Sequence, residues 1–286
     1  MGVEIQMNQY SAPVVTLSRG ATIHDSLFLM QKNNIKRIVI IEKDIPVGIV
    51  TERDIGKFLE TDKTTRSLNE IPISEIMSRN LISVISDQLD IFSQCAIRMD
   101  TFQISSVIIV NGNGKLVGIT TKSDLVRNFA TKYQGAYKVK DYLSKRILTC
   151  RKTDSLYFGL DMLNKNKVSR LVVTDNDGKV LGVITYDTFL RNSNYFKKPS
   201  RDYLLPEGSG RGMTVGDIVN SELITVSTED DLAKAANLMI DYQVSGIPVV
   251  DSNDELKGVI SGTDIVTAYT QVETHRRLAK KDPHFA

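Results

Sequence analysis

The alternation of apolar and polar positions along this chain recurs in four copies. In the last copy, Leu223 to Val226 is a short β-rich run, and Leu232, Ala235, Ala236 and Met239 form one apolar face at helical spacing. Thr228, with Asp231 three places on, predicts a capping box at the start of that helix. Ile247 to Val250 reads as a second strand, Asp251 to Asp254 as a turn, and Leu256 to Ile260 as a third strand, with a final helix after Ser261. The unit is strand, helix, strand, strand, helix.

The other copies fit the same template. Helix starts are expected at Thr22 (with Asp25), Ser86 and Thr153. The apolar faces include Leu89, Phe92, Ala96 and Met99 in the second copy and Leu156, Leu160 and Leu163 in the third. The turns Glu42-Lys43-Asp44, Asn111 to Gly114 and Asp175 to Gly178 suit hairpins. Each copy closes on one phrase: Gly48-Ile-Val-Thr51-Glu-Arg-Asp54, Gly118-Ile-Thr-Thr121-Lys-Ser-Asp124, Gly182-Val-Ile-Thr185-Tyr-Asp187-Thr188 and Gly258-Val-Ile-Ser261-Gly-Thr-Asp264. The chain therefore divides into repeats at 10–66, 72–132, 139–194 and 213–272, a mixed α/β (α+β) fold of four β-α-β-β-α units. A unit of ~60 residues buries too little surface to stand alone comfortably. Pairing is expected, copies one and two in one body and three and four in another. The irregular stretch Asn192 to Met213 then lies inside the second body.

Two readings of the phrase stand side by side. In the first, Thr-x-x-Asp is only a helix cap, and the glycine permits close packing. In the second, the amides at a helix start attract phosphate, a hydroxyl donates to it, and a carboxylate one turn on accepts the hydroxyls of a ribose. A purine would then need an apolar slot.

The phrase, closing a unit of this order and length, resembles the CBS domain. Residues 72–84 and 215–226 resemble the lead-in to such a domain, and the likeness covers about residues 10–272. The whole is similar to archaeal four-CBS proteins and to the gamma subunit of AMP-activated protein kinase. The resemblance implies paired repeats (Bateman modules) with clefts for AMP, ADP, ATP or S-adenosylmethionine, no catalysis, an unidentified regulated partner protein, and a homodimer. It implies that Asp54, Asp124 and Asp264 hold ribose, and that Thr51, Thr121 and Ser261 face phosphate. It also places Ile35, Ile104, Val168 and Val244 at the base, and Lys36 and Arg37 near phosphate.

Arg53, Lys122 and Thr263, inside the phrases, are further phosphate candidates, with an ordinary exposed helix charge as the rival reading for the first two. Arg170 is either a ligand to a phosphate held mainly by the fourth copy or a solvated charge. The third copy departs from the pattern, with Thr188 where Asp is expected and Asp187 one place early. One residue turns a helix by roughly 100°, so Asp187 should miss the ribose and the third site should be weak or empty. The hydroxyls of the fourth copy suit fewer phosphates.

Composition narrows the choice. Lys plus Arg is 36 against 34 Asp plus Glu, a formal net charge of +2, which gives no general reason to expect nucleic acid or an anionic membrane. No apolar run reaches the ~20 residues of a membrane span, and the N-terminus has no signal-peptide pattern, so a cytoplasmic protein is expected. Cys95 and Cys150 cannot build a disulfide framework, and His24, His275 and His284 are too scattered for a metal. Gly208 to Gly212 lacks the strand and Lys-Ser/Thr of a phosphate loop. The basic tail from His275 to Lys281 reads as a solvated helix end. The rivals to a nucleotide sensor are a ligand-free interaction scaffold, an S-adenosylmethionine module and a nucleic-acid binder.

Overall fold

Each repeat builds its own three-stranded sheet in the computed structural model, which describes residues 10–88, 90–196, 212–219, 223–253 and 255–281. Repeat one runs β1 (Thr16–Ser18), α1 (Ile23–Asn33), β2 (Arg37–Glu42), β3 (Ile45–Thr51) and α2 (Glu52–Thr61). Repeat two follows with β4 (Ser83–Ile85), α3 (Ile91–Thr101), β5 (Ser106–Val110), β6 (Leu116–Thr121) and α4 (Lys122–Lys132). Repeat three has β7 (Thr149–Arg151), α5 (Leu156–Lys165), β8 (Arg170–Thr174), β9 (Val180–Thr185), α6 (Tyr186–Leu190) and α7 (Ser193–Phe196). Repeat four has β10 (Val226–Ser227), α8 (Leu232–Asp241), β11 (Gly246–Val250), β12 (Leu256–Ser261) and α9 (Gly262–Lys281). In every sheet the first strand lies parallel to the second, and the second antiparallel to the third. This is the predicted order.

Local chemistry explains the joints. The first helix of each repeat ends on a non-glycine residue in the left-handed region: Asn34, Gln103, Lys167 and Gln243, with φ between 50° and 54°. That turn reverses the chain directly into the second strand. Three helix starts differ from the sequence expectation. The helices begin after Asp90, Ser155 and Asp231, not at Ser86, Thr153 and Thr228. In repeats three and four an acidic side chain first folds back onto the preceding strand: Asp154 accepts from the Arg151 amide at 2.7 Å and Asp230 from the Ser227 amide at 2.8 Å. These turns consume residues before the helix can begin. Leu89 lies outside the described residues, while the other residues expected on the apolar helix faces are buried.

The pairing of repeats also differs from expectation. One compact unit holds residues 10–14, 81–145 and 225–281, and the other holds the described residues of 15–80 and 146–224. Repeat two therefore shares a core with repeat four, and repeat one with repeat three. In the two–four unit α4 packs on α8 and α9, and α3 on α9. In the one–three unit α2 packs on α5 and α6, and one apolar cluster runs from Ile23, Ile38 and Ile55 to Leu160, Leu171 and Phe189. Helix faces, not chain neighbours, decide which repeats share a core.

Chain neighbours are instead joined by exchange of their lead-in segments. Ile71 and Ile73, ahead of repeat two, bond to Ile23 and Ala21 of repeat one, and Ser78 forms a two-bond antiparallel bridge with Ile49 at 2.9 Å. Ser11, ahead of repeat one, bridges Ile119 of repeat two in the same way. Ser144 bridges Val259 of repeat four, and Thr214 bridges Ser155 of repeat three. The lead-ins thus complete the neighbouring repeat, not their own.

The glycine of the phrase makes room for this docking. A Cβ on Gly48 would lie 2.5 Å from Met77 Sδ, on Gly118 2.1 Å from the Tyr10 ring, and on Gly258 2.1 Å from Leu143 Cδ1 and 2.7 Å from the Ser144 carbonyl oxygen. Close packing is what the glycine provides.

Candidate functional site

The four phrases place their polar residues where the third strand of a repeat runs into its last helix. In repeat one, Asp54 Oδ2 accepts from the Thr51 amide at 2.8 Å and from Thr51 Oγ1 at 2.7 Å, while the Asp54 amide donates to Thr51 Oγ1. Thr121 and Asp124 repeat this at 2.8 and 2.7 Å. Asp264 Oδ2 accepts from the Ser261 amide at 2.8 Å and from its hydroxyl at 2.6 Å, while Ser261 Oγ accepts from the Thr263 amide at 3.3 Å. The first helical amide is also engaged: Glu52 donates to the Lys36 carbonyl, Lys122 to that of Ser105, and Gly262 to that of Ser245. Most of the amides expected to attract phosphate are therefore held by the protein's own atoms, as is the hydroxyl proton. In repeat one the cap uses only Oδ2 of Asp54, which leaves Oδ1 beyond it.

At Asp54 burial pushes the carboxyl up, against the lowering effect of the Thr51 bonds. Asp124 differs in presenting Oδ1 to Ser11 Oγ at 3.4 Å and to Arg127 at 3.5 Å. Ile35, Ile104, Val168 and Val244 each follow the left-handed residue and are half-buried, with their amides tied to the preceding helix. The residue after each of the first, second and fourth carries the carbonyl that binds the last helix, so these apolar side chains sit one residue from a helix start.

The third repeat breaks the pattern as the sequence indicates. The Thr185 amide donates to Thr188 Oγ1 at 3.1 Å, so a hydroxyl fills the carboxylate's place. Asp187 turns away and binds Arg191 Nε at 2.8 Å. Tyr186 is buried against Gly56, where a Cβ would lie 2.5 Å from its ring, and its hydroxyl donates to Asn164 Oδ1 at 2.8 Å.

The two units differ sharply in charge at these positions. In the one–three unit Lys36, Arg37, Arg170 and Arg191 gather around Glu52 and Asp187, and Arg53 Nη2 donates to Ser169 Oγ at 3.0 Å. Arg37 and Arg170 hold matching places, paired across their hairpins with Thr51 and Thr185. Burial pulls the Lys36 ammonium below its ordinary value; Glu52 and Asp187 oppose this, and Arg170 and Arg37 reinforce it. Burial pushes the Glu52 carboxyl up to about 7, with Asp187 reinforcing and Lys36, Arg37 and Arg191 opposing. In the two–four unit the matching places are Ser105, Ser106, Ser245 and Gly246, and Lys122 Nζ donates to Thr263 Oγ1 at 2.7 Å. Cations thus concentrate in one unit and hydroxyls in the other.

Glu52 and Arg191 escape a reading of sequence alone, because an acid at the first helical position resembles an ordinary dipole-complementing residue. No group of His, Cys, Asp and Glu able to hold a metal occurs among the described residues, nor a helix long and apolar enough to cross a membrane.

Comparison with known proteins agrees with the repeat. The model of the CBS domain matches residues 4–60, 73–131, 139–195 and 215–271. The Methanocaldococcus jannaschii protein MJ1225 is 25% identical over 286 residues, spanning 93% of this chain and 99% of that protein. MJ1404 of the same organism is 26% identical over 95% of this chain, which spans only 64% of that relative's length. The crystal structure of MJ1225, put forward as an archaeal homologue of g-AMPK, superposes with a TM-score of 0.78 at 23% identity over 92% of this chain and 99% of its own. A conserved protein from Pyrococcus horikoshii gives a TM-score of 0.61 at 19% identity, covering 91% of this chain and 96% of its own.

Proposed function

The chain belongs to the CBS-domain family, and from that premise we propose that it is a non-catalytic regulatory module that binds an adenosine phosphate (AMP, ADP or ATP) and passes its ligand state to a partner protein. The observation that carries this reading is the neighbourhood of Asp54. A carboxylate with one oxygen beyond its cap, able to take ribose hydroxyls, stands in the same unit as a cluster of cations outnumbering its acids. A bare phosphate would not need the first, nor a nucleoside the second. Ribose is assigned to Asp54, Asp124 and Asp264, and phosphate to Lys36, Arg37, Arg53, Arg170, Lys122, Thr263 and the cap hydroxyls of Thr51, Thr121 and Ser261. The half-buried Ile35, Ile104, Val168 and Val244 suit the base. The third repeat, with Thr188 in the cap, is the weak site. Assembly as a homodimer is part of the same proposal.

The closed caps favour one rival, an interaction scaffold whose phrases serve only as helix starts. A thermal-shift series on the full chain with AMP, ADP, ATP and S-adenosylmethionine separates the two. Ligand at a hundredfold excess over its dissociation constant stabilises a protein by about 2.7 kcal/mol. Asp124→Ala should weaken the response carried by repeat two. Silence toward every adenosyl ligand at millimolar concentration leaves the scaffold.

A further inference from the structure

Asp187 is the one carboxylate at the second position of a last helix. The matching places hold Arg53, Ser123 and Thr263, a cation and two hydroxyls. In the one–three unit this position reaches the pre-strand residue of the other repeat, as the 3.0 Å bond from Arg53 to Ser169 shows. By the same relation Asp187 faces Lys36, and the two charges act on each other. Arg191, one turn further along, holds Asp187 from behind at 2.8 Å. The charge of Asp187 acts on Lys36, Glu52 and Arg191, and Lys36 in turn feels Arg170 and Arg37.

On the adenosine-phosphate reading, on which this step rests, we infer that Asp187 is a built-in counter-anion: it fills for these cations the electrostatic place of a ligand phosphate and sets the one–three unit against phosphate-rich ligands. A fixed negative charge beside the cations repels each further phosphate charge that a ligand brings. The penalty therefore grows from a monophosphate to a triphosphate. A carboxylate one place early has no such consequence if it is only a solvated helix charge.

Titration calorimetry with ATP and with AMP at fixed ionic strength tests this on the full chain. Wild type is compared with Asp187→Asn and Asp187→Glu, both also in an Asp124→Ala, Asp264→Ala background so that the one–three unit reports alone. Removing the charge should raise the ATP-to-AMP affinity ratio on the order of tenfold, the effect of one unit charge a few ångström away in a partly screened site. Asp187→Glu, which keeps the charge, should hold the wild-type ratio. Asp187→Ser, the residue type of Ser123, replaces the asparagine variant if that one does not fold. An unchanged ratio in the neutral variants, with both nucleotides bound, overturns the counter-anion and leaves the nucleotide reading intact. A wild-type chain that binds neither nucleotide overturns the nucleotide reading itself.

Discussion

Replacing Gly258 by alanine should dislodge the lead-in segment of repeat three from the sheet of repeat four. The new methyl would stand 2.1 Å from Leu143 Cδ1 and 2.7 Å from the Ser144 carbonyl oxygen. A leucine side chain can rotate, but the carbonyl belongs to the bridge itself. Ser144 and Val259 exchange two backbone bonds of 3.0 Å, and both lengthen if the strand moves aside. At about 1 kcal/mol for each bond and ~1–3 kcal/mol for overpacking, the expected loss is about 3–5 kcal/mol. Gly48→Ala makes the internal comparison. Its first obstacle is the flexible thioether of Met77 at 2.5 Å, so about 1 kcal/mol is expected. Gly20→Ala, with nothing within 4 Å, should change stability by less than about 0.5 kcal/mol. Urea unfolding followed by far-ultraviolet circular dichroism ranks the three. Equal midpoints for Gly258→Ala and Gly20→Ala would refute the docking account of the phrase glycine.

Two further predictions concern titration. The folded chain holds the Glu52 proton more tightly than the unfolded chain does, about 7 against 4.5, so this group's contribution to stability is greatest below 4.5 and falls as pH rises to about 7. Glu52→Gln removes that slope and should gain on the order of 1–3 kcal/mol on wild type above pH 7, with no gain in acid; melting curves that stay parallel across this range count against it. In the two–four unit burial pushes the Glu273 carboxyl up, but hydrogen bonds from Lys132 and Tyr133 and the charges of Lys132 and Arg276 hold it below its ordinary 4.5. Its stabilisation is therefore present above pH 4.5 and lost as the pH falls through the lower folded value. Glu273→Gln should cost about 1–3 kcal/mol at neutral pH, and melts at pH 7 and pH 3 should show that gap closing.

The phrase residues show how far local chemistry reaches. Thr51 with Asp54, Thr121 with Asp124 and Ser261 with Asp264 are three residues apart, a distance that a helix start brings together without help, and in all three the hydroxyl donates to the carboxylate. Asp187 was legible as a misfit for the same reason: a helix turns by a fixed angle per residue. The starts of α5 and α8 were not, because Asp154 and Asp230 accept from the strand-end amides of Arg151 and Ser227 and not at a helix start. Choosing between a strand end and a helix start depends on the turn geometry of both.

Periodicity and spacing along the chain determined the four repeats, their strand and helix order, and the Thr/Ser-x-x-Asp caps of the closing phrases, since each of these is settled by atoms within a few residues. Tertiary structure alone decided that repeat one shares a core with repeat three, that Met77, Tyr10 and Leu143 dock on the glycines of neighbouring repeats, and that Lys36, Arg170, Glu52 and Asp187 meet. These contacts join residues that lie far apart in sequence. They depend on which apolar faces pack best, and four nearly equivalent repeats offer several pairings that no local pattern can rank.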